Sequence, residues 1–409
     1  MFGGERSGGL RLIRMGSPRA RGIGLTLAAL LAALAGFAVP HLPQDWQLKV
    51  LSPGWMPHQA VQLLEYSNDI QVAMLAERPD APHPRIALVL VTDETLAGLP
   101  YVSPIDRGLI ARLVKAVDGL GASVVGLDLI FDQSTEPGKD QALAEALRFA
   151  RATVVLGGAD ERTPLTPRRR SWQTRFLEDS RAPFGYFNLR YDVREAALTH
   201  VIRNRAAPHP GSHFERSFAE ALALSAGVRS LPSSRRIPWL RAAASGSDIF
   251  LTLDAETVLA AERDPDSPLS RAIEDQLHGR IVLVGADLER RDRHPTPLSL
   301  VAGEDMLGVA VHAQILAGLL DGRTLTESGV VVTSTLSAAA ALLGALIGWF
   351  AARRRLVLTL LIASGTLVIM AASAIVLWQL RAIVPIAALV AAFVGAVMIA
   401  RFTRGWMER

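Results

Sequence analysis

Ile86-Ala-Leu-Val-Leu-Val-Thr92 and Ser123-Val-Val-Gly-Leu-Asp128 are the two runs that decide the fold. Both are short, apolar and rich in branched residues, which is typical of strands buried on both faces of a parallel sheet. Between them, apolar residues recur at helical spacing from Ile110 to Val117. A second helix and strand follow between Lys139 and Gly157. The pattern predicts an α/β domain with a mixed, largely parallel sheet and flanking helices.

Carboxylates follow both strands. Asp93 and Glu94 come directly after the first, and Asp128 and Asp132 come at the end of the second. Because ligands bind at the carboxyl edge of open α/β sheets, these four residues are predicted to line a recognition edge. Asp93, Asp128 and Asp132 would also suit a divalent cation, since they supply oxygen ligands. The competing interpretation is that they cap helices or pair with Arg107, and such caps are routine in βα loops. The prediction names no metal and no cofactor.

Five further residues complete the set of candidate ligand-binding residues. Asp106 and Arg107 stand at a predicted helix start, where they form either a capping and packing pair or a clamp for a carboxylate ligand. Asp292 and Thr296 lie in a turn after a predicted strand, where a structural role and a binding role are both open. His312 lies at the centre of an apolar helix face, either buried and hydrogen-bonded or acting in pH sensing or ligand contact.

Composition excludes several classes of function. The chain has 409 residues, is 50% hydrophobic and has no cysteine, which excludes disulfides, thiolate metal sites and thiol nucleophiles. The net charge is only +4, and no basic stripe interleaved with aromatic residues predicts nucleic-acid binding. Gly-x-Ser-x-Gly, His-Glu-x-x-His and a P-loop lysine are all absent from the sequence. The chain is therefore predicted not to be an enzyme; a carboxylate-dependent hydrolase at the aspartate edge is the enzymatic alternative.

Four apolar runs predict a membrane protein. Residues 22–39 follow an arginine-rich segment, residues 1–21, and the runs 329–350, 356–378 and 382–400 close the chain. Each is about the length that spans a bilayer, roughly 17–25 residues. The first run could instead be a cleaved signal peptide. Gly344 and Gly348 form a Gly-x-x-x-Gly pair that permits close helix packing.

The arginines give the membrane topology. They lie before the first run, at Arg353-Arg354-Arg355, and in the tail at Arg401 and Arg404. By the positive-inside rule, residues 1–21 and the tail, residues 401–409, are cytoplasmic, and residues 40–328 form a domain outside the cytoplasm. The prediction is a multi-pass membrane protein with a large domain outside the cytoplasm.

Residues 57–322 resemble a known family. The sequence is similar to the type 2 CHASE domain, the cyclase/histidine-kinase-associated sensory extracellular domain of bacterial receptors. The residues that carry the resemblance are Leu64-Glu65 with Asp69, Ile86–Leu96, Ser103-Pro104-Ile-Asp106-Arg107, Gly121–Asp132, Asp140, Gly279–Gly285, Asp292 with Thr296-Pro297, and Gly308–Ala313. The family's plan of one membrane helix, a sensor and three further helices also matches. Residues 192–204 match only loosely.

The resemblance to bacterial receptors implies a sensory receptor module and, with the predicted topology, a multi-pass protein of the inner membrane with a large domain in the periplasm. Family members commonly continue into a nucleotide cyclase or a kinase, and this sequence does not, so we expect the output (a cyclase, kinase or regulator) to be a separate protein. The other expected partners are the lipid bilayer, a small-molecule or protein ligand, and a second copy of the chain. The alternative is a structural or scaffolding membrane protein without a ligand. A pocket lined by polar groups at the aspartate edge would favour the sensor, and a filled edge would favour the scaffold.

Overall fold

The computed structural model describes residues 58–193, 200–242, 246–289, 292–351 and 354–407, with a few helical positions between residues 25 and 38. The chain divides into two compact units. Asp69–Thr326 form the first, which we call the sheet unit, and Met1–Asn68 with Glu327–Arg409 form the second, the helical unit. The predicted cytoplasmic tail, residues 1–21, and most of the predicted first membrane segment, residues 22–39, lie outside the described residues.

Six parallel strands form the centre of the sheet unit. The strands of this unit are β1 Ile86–Thr92, β2 Val124–Leu127, β3 Thr153–Gly158, β4 Phe184–Tyr186, β5 Arg190–Val193, β6 His200–Asn204, β7 Leu251–Asp254, β8 Ile281–Asp287, β9 Arg293–His294 and β10 Met306–Leu307. The main sheet has the order β4-β3-β2-β8-β1-β7, and every neighbouring pair is parallel. β1 is buried from Ile86 to Val91 and β2 along its whole length. The predicted α/β class with a largely parallel sheet is confirmed.

Helices cover both faces of this sheet. The described helices up to residue 320 are α1 His58–Leu75, α2 Asp93–Leu96, α3 Arg107–Gly119, α4 Pro137–Phe149, α5 Pro167–Ser180, α6 Phe218–Ser225, α7 Ala255–Arg263, α8 Pro268–Leu277, α9 Ser299–Ala302 and α10 Gly308–Leu320. Val125 and Val284 pack in one core with residues of α3, α4 and α7. Gly126 and Gly285 lie at alternate positions of the same strands and face the other side, against Phe218 of α6 and Val309 of α10. The sheet is therefore the middle layer of three.

The connections after β2 and β8 determine where a crevice forms. These strands are neighbours in the sheet. The chain leaves β2 towards α4, which packs against α3, and leaves β8 towards α10, which packs against α6 on the opposite face. Neighbouring strands whose connections go to opposite faces mark a topological switch point, where ligands bind at the carboxyl ends of the strands.

One strand prediction is corrected. The sequence predicts that Phe184–Tyr191 pairs in antiparallel fashion with Leu198–Arg203. The segment instead divides: Phe184–Tyr186 joins the parallel sheet as β4, and Arg190–Val193 pairs with His200–Asn204. Gly185 gives the physical reason, because a Cβ there would lie 2.6 Å from the backbone of Ser217, at the start of α6. The glycine lets the start of this helix pack directly on β4, which places Phe184–Tyr186 in the covered parallel sheet rather than in a separate hairpin.

Three long apolar helices form the described part of the helical unit after residue 329. They are α11 Val330–Phe350, α12 Arg355–Leu380 and α13 Ile386–Met407, with the short strands β11 Thr326–Glu327 and β12 Ala382–Ile383 before and between them. By length and composition, all three helices can cross a membrane. α13 starts later than the predicted run, after Pro385, and continues beyond its predicted end. In that last part the Arg404 guanidinium donates a hydrogen bond to the Trp349 carbonyl of α11.

The Gly-x-x-x-Gly pair lies at a helix contact. Gly344 and Gly348 are buried on α11, which packs along α13. A Cβ at Gly344 would collide with the carbonyl of Phe393, and one at Gly348 with the carbonyl of Val397. The two glycines therefore allow the backbones of α11 and α13 to approach closely, as small residues do in membrane helix pairs.

Candidate functional site

A cavity of about 690 Å³ opens at the carboxyl ends of β2 and β8. We call it the main pocket. Its polar wall consists of Asp128, Arg162, Asn188, Arg190, Tyr191, Asp292, His294 and His312. Its apolar wall consists of Ile130, Phe187 and Leu189, with Gly308 at the start of α10. The pocket lies at the topological switch point and has the size of a small-molecule site.

Asp128 and His312 form the most buried part of the main pocket. His312 is 3% exposed, and the Asp128 side chain is 10% exposed. His312 Nε2 lies 4.0 Å from Asp128 Oδ1, which is too long for a hydrogen bond. His312 Nδ1 has no hydrogen-bond partner, and none reaches the Asp128 carboxyl group, within the part of the chain that the structure describes. Buried polar groups usually have such partners, so both groups are held beside the cavity with unused hydrogen-bonding capacity.

Burial sets the charge state of this pair. It raises the pKa of the Asp128 carboxyl group well above its ordinary value of 3.8, and the neighbouring Asp292 carboxylate raises it further. Burial also lowers the pKa of His312 to about 4, although the Asp292 charge and a weak hydrogen bond between the ring and the Phe187 backbone act to raise it. The imidazole is therefore uncharged at neutral pH and does not supply a positive charge to Asp128.

Asp292, His294 and Tyr191 form a hydrogen-bonded chain along the same wall. His294 Nε2 lies 2.9 Å from Asp292 Oδ1, and His294 Nδ1 lies 2.5 Å from the Tyr191 hydroxyl group. A carboxylate only accepts, so Nε2 carries the proton and Nδ1 accepts from the tyrosine. Burial acts to raise the pKa of Asp292, but the hydrogen bond from His294, the favourable interaction of the carboxylate with the His294 and His312 rings when these are protonated, and a backbone hydrogen bond from Gly308 hold this pKa below its ordinary value. Asp292 is thus the ionised carboxylate of the pocket.

The backbone conformation at Asp292 and the glycine at residue 308 together allow the Asp292 carboxylate to lie at the mouth of the pocket. Asp292 has a φ of 54°, in the left-handed region that few residues other than glycine adopt and that aspartate tolerates. A Cβ at Gly308 would collide with the Asp292 carboxylate. The glycine at the first position of α10 therefore makes room for the carboxylate at the mouth of the pocket.

Two other polar residues of the wall already have protein partners. Arg162 Nε donates to both carboxylate oxygens of the fully buried Asp160, at 3.0 and 2.8 Å. Asn188 accepts from the Asp160 N–H at 2.7 Å and donates to the Thr163 hydroxyl at 2.8 Å. Arg162 and Asn188 therefore form part of the pocket wall, and the protein itself provides hydrogen-bond partners for both side chains.

A second cavity of about 230 Å³ shares Asp128, Ile130 and Asp292 with the main pocket. Arg107, which is 2% exposed, lines it together with Asp132. The Arg107 guanidinium lies 4.4 Å from the centre of the Phe131 ring and donates to the Gln133 carbonyl at 3.1 Å. Asp132 is paired with Arg169 at 2.7 Å. Arg107 Nε also lies 3.7 Å from Asp140 Oδ1, so the charges that border this smaller cavity face opposite charges of the protein itself.

Four predicted site residues line neither cavity. Asp93 and Glu94 are exposed in the first turn of α2, and Asp93 accepts a hydrogen bond from the Glu289 N–H at 2.8 Å. Thr296 is buried and exchanges hydrogen bonds with Ser299 at the start of α9.

Asp106, the fourth of these residues, is the N-cap of α3. It accepts from the Leu109 N–H at 3.0 Å and from Lys139 at 2.5 Å. The capping interpretation thus fits its geometry. Asp128, Asp292 and His312 are the three predicted residues that the fold brings together in the main pocket. Among the described residues no group of three or more metal-ligating side chains has the arrangement of a metal site.

Sequence reasoning missed Tyr191, His294 and Arg162. His294 stands two residues after Asp292, and this Asp-x-His spacing was a usable signal for a hydrogen-bonded pair. Tyr191 carries no such signal, because it reaches the site from β5, about a hundred residues away in sequence from His294.

A parallel sheet covered by helices, with a polar cavity at its switch point, is followed along the chain by three helices long and apolar enough to cross a membrane. A family model described as the CHASE2 domain matches residues 30–352 of the 409-residue chain. The chain belongs to this family of sensory extracellular domains, and the resemblance seen in the sequence is confirmed. No curated protein and no solved structure matches the chain.

Proposed function

We propose that this protein is an inner-membrane receptor whose periplasmic domain binds a ligand in the main pocket and relays binding through its membrane helices to a separate output protein. The observation that carries the proposal is the position of the pocket. Its wall includes Gly308 and His312 of α10, and residues 321–329 alone connect α10 to the apolar helix α11. An open polar cavity at the aspartate edge also favours a sensor over a scaffold.

The connection after α10 is held firmly within the sheet unit. The Asp321 carboxylate lies 3.2 Å from His83 Nε2, and Arg323 donates to the Pro238 carbonyl at 2.7 Å. The Ser234 hydroxyl donates to the Leu325 carbonyl. These contacts leave no slack between α10 and residue 325, so a shift of α10 must either break them or carry residues 321–325 with it.

The other end of the connection is held within the helical unit. The Ser328 N–H donates to the Ile383 carbonyl at 2.9 Å, and the Ser328 hydroxyl bonds that of Thr333 in α11 at 2.8 Å. Only Thr326 and Glu327 separate the two sets of contacts. A ligand that prefers one of two positions of α10 would therefore bias the position of α11.

Cysteine labelling tests the proposed topology. The chain has no cysteine, so single cysteines report without background. We expect Glu262→Cys, exposed on α7, to react with a membrane-impermeant maleimide in intact spheroplasts. We expect Trp406→Cys, 64% exposed near the end of α13, to react only after permeabilisation. Labelling of the second position and protection of the first in intact spheroplasts would place the sheet unit in the cytoplasm and overturn the proposal.

Filling the main pocket tests the relay. Ile130 lines the pocket and is 38% exposed, so Ile130→Cys modified with benzyl methanethiosulfonate places a bulky group there. We expect changed amide hydrogen exchange in α10 and in the first turns of α11. Flexible glycines inserted after Leu320 should retain the change in α10 and abolish it in α11. The same reagent on Glu262→Cys is the control. A filled pocket that alters neither helix would contradict the relay.

A further inference from the structure

The main pocket holds a carboxyl group that has no positive counter-charge among the described residues. The Asp128 side chain is buried and has no hydrogen bond within the described residues. A second carboxylate, Asp292, lies close enough to act on its pKa. Two carboxyl groups that share a buried site oppose each other's ionisation, and a cation placed between them removes that opposition. The arrangement therefore favours a positively charged occupant.

The cationic and imidazole side chains around Asp128 do not fill that role. His312 is neutral at neutral pH because burial holds its pKa at about 4. His294 is engaged on both ring nitrogens, by Tyr191 and Asp292. Arg162 is paired with the buried Asp160, and Arg190 is exposed to solvent. Among the residues that the structure describes, none supplies the positive charge that would favour ionised Asp128, and a bound cation could supply it.

His312 adds a second, independent indication. It is nine-tenths or more buried, lines the pocket, and makes no hydrogen bond through Nδ1 in the part of the chain that the structure describes. Its Nε2 stands 4.0 Å from Asp128 Oδ1. That gap is too wide for a direct hydrogen bond, and a group with several N–H donors can bridge a neutral imidazole nitrogen and a carboxylate.

We propose that the main pocket takes a small organic cation, a protonated primary amine whose ammonium group lies between Asp128 and His312 and is neutralised by Asp128 and Asp292. The inference rests on the proposed function, that this pocket is the ligand site. The ammonium group donates to the Asp128 carboxylate and to His312 Nε2, the ring nitrogen that lies 4.0 Å from Asp128 Oδ1, and Nδ1 then carries the proton of the neutral ring. Ile130, Phe187 and Leu189 supply apolar surface for the carbon chain of the amine.

Charged thiol reagents probe the sign of the charge that the main pocket attracts. The full chain carrying Ile130→Cys is treated with aminoethyl methanethiosulfonate, a cation, or sulfonatoethyl methanethiosulfonate, an anion. Each rate is divided by the rate of the same reagent on Glu262→Cys. We expect the normalised rate of the cation to exceed that of the anion by about tenfold or more, because an opposite charge held a few ångströms away is worth at least that factor.

Substitutions of Asp128 and Asp292 test whether these residues cause the faster labelling by the cationic reagent. We expect Asp128→Asn to reduce the cation preference several-fold, and Asp292→Asn to reduce it as well. Asparagine tolerates the left-handed backbone at residue 292, so the second variant keeps the test valid if the first does not fold. Asp254→Asn is the matched control, because Asp254 is an exposed carboxylate at the same edge of the sheet, on β7, outside both cavities. It should leave the preference unchanged.

Protection of Ile130→Cys from labelling by an added ligand shows whether the pocket binds a cation or only attracts cationic reagents. Labelling of Ile130→Cys by the neutral reagent methyl methanethiosulfonate should be slowed by n-butylammonium and not by butyrate, and Asp128→Asn should remove the protection. Protection by butyrate, or equal normalised rates for the two charged reagents, would overturn the cation inference and leave the relay intact. A cation preference combined with unchanged hydrogen exchange in α10 and α11 after the pocket is filled would instead overturn the proposed function.

Discussion

Replacing Asp69 with alanine is expected to lower the free energy of unfolding of the sheet unit by about 3–5 kcal/mol, because it leaves a buried arginine without its counter-charge. Arg203 Nε donates to Asp69 Oδ1 at 2.7 Å, and Arg203 Nη2 donates to Asp69 Oδ2 at 2.6 Å. The two side chains are only 3% and 4% exposed. Solvent therefore neither screens the pair nor replaces the lost partner.

The measurement is urea unfolding of the full chain in detergent, followed by a fluorophore on Glu262→Cys of the sheet unit. Asp287→Ala is the matched control. Asp287 pairs with Arg293 at 2.7 Å, but these side chains are 30% and 44% exposed, so we expect a loss of no more than about 1 kcal/mol. Replacing Asp69 and Arg203 together by apolar residues of similar volume should recover most of the stability. Equal losses for the buried and the exposed aspartate would contradict the argument.

The Asp69–Arg203 pair is a feature that could not be predicted from the sequence alone. Asp69 is part of the family resemblance, but its partner stands on β6 and is separated from it by 134 positions. No local periodicity connects the two. By contrast, the parallel sheet could be predicted from the sequence. β1, β2 and β8 each consist of a nearly continuous apolar run, which is typical of strands covered by helices on both faces.

Part of the candidate site could also be predicted from local sequence patterns. Asp128 follows a recognisable strand and His312 lies on a recognisable apolar helix face, so both were found. The prediction also placed Asp93 at this edge. However, β8 lies between β1 and β2 in the sheet, and Asp93 is therefore separated from Asp128 by a whole strand. Strand order depends on long-range packing, which spacing along the chain does not encode.

His312 is expected to make the sheet unit less stable by about 3 kcal/mol as the pH falls from 6.5 to about 4, at about 1.4 kcal/mol for each pH unit. Burial lowers the pKa of His312 to about 4 in the folded chain, whereas the ordinary value is 6.5. Between these values the unfolded chain binds a proton that the folded chain does not. The stabilising contribution is therefore complete above pH 6.5 and is lost as the pH falls towards 4.

The two aspartates beside His312 act differently in this range. The pKa of Asp128 is raised on folding, so its contribution is complete below pH 3.8 and is lost as the pH rises, opposing that of His312. The pKa of Asp292 is lowered, so its contribution changes below pH 3.8, outside the window. His83, whose pKa burial also lowers, adds a contribution of the same sign as His312. The pH dependence of the free energy of unfolding of the wild type is the sum of these contributions. The contribution of His312 is therefore obtained by comparing the wild type with a variant that lacks this histidine.

The comparison uses His312→Gln, with the exposed His213→Gln as the matched control for loss of a histidine. Urea midpoints of the sheet unit are measured from pH 7 to pH 4. We expect the wild type to lose about 3 kcal/mol more than His312→Gln over this range. Parallel profiles for wild type and His312→Gln would show that the imidazole takes up its proton equally in both states. That result would contradict the argument that His312 supplies no charge to Asp128, because His312 would then become protonated as the pH falls below 6.5 and would act as an internal counter-cation.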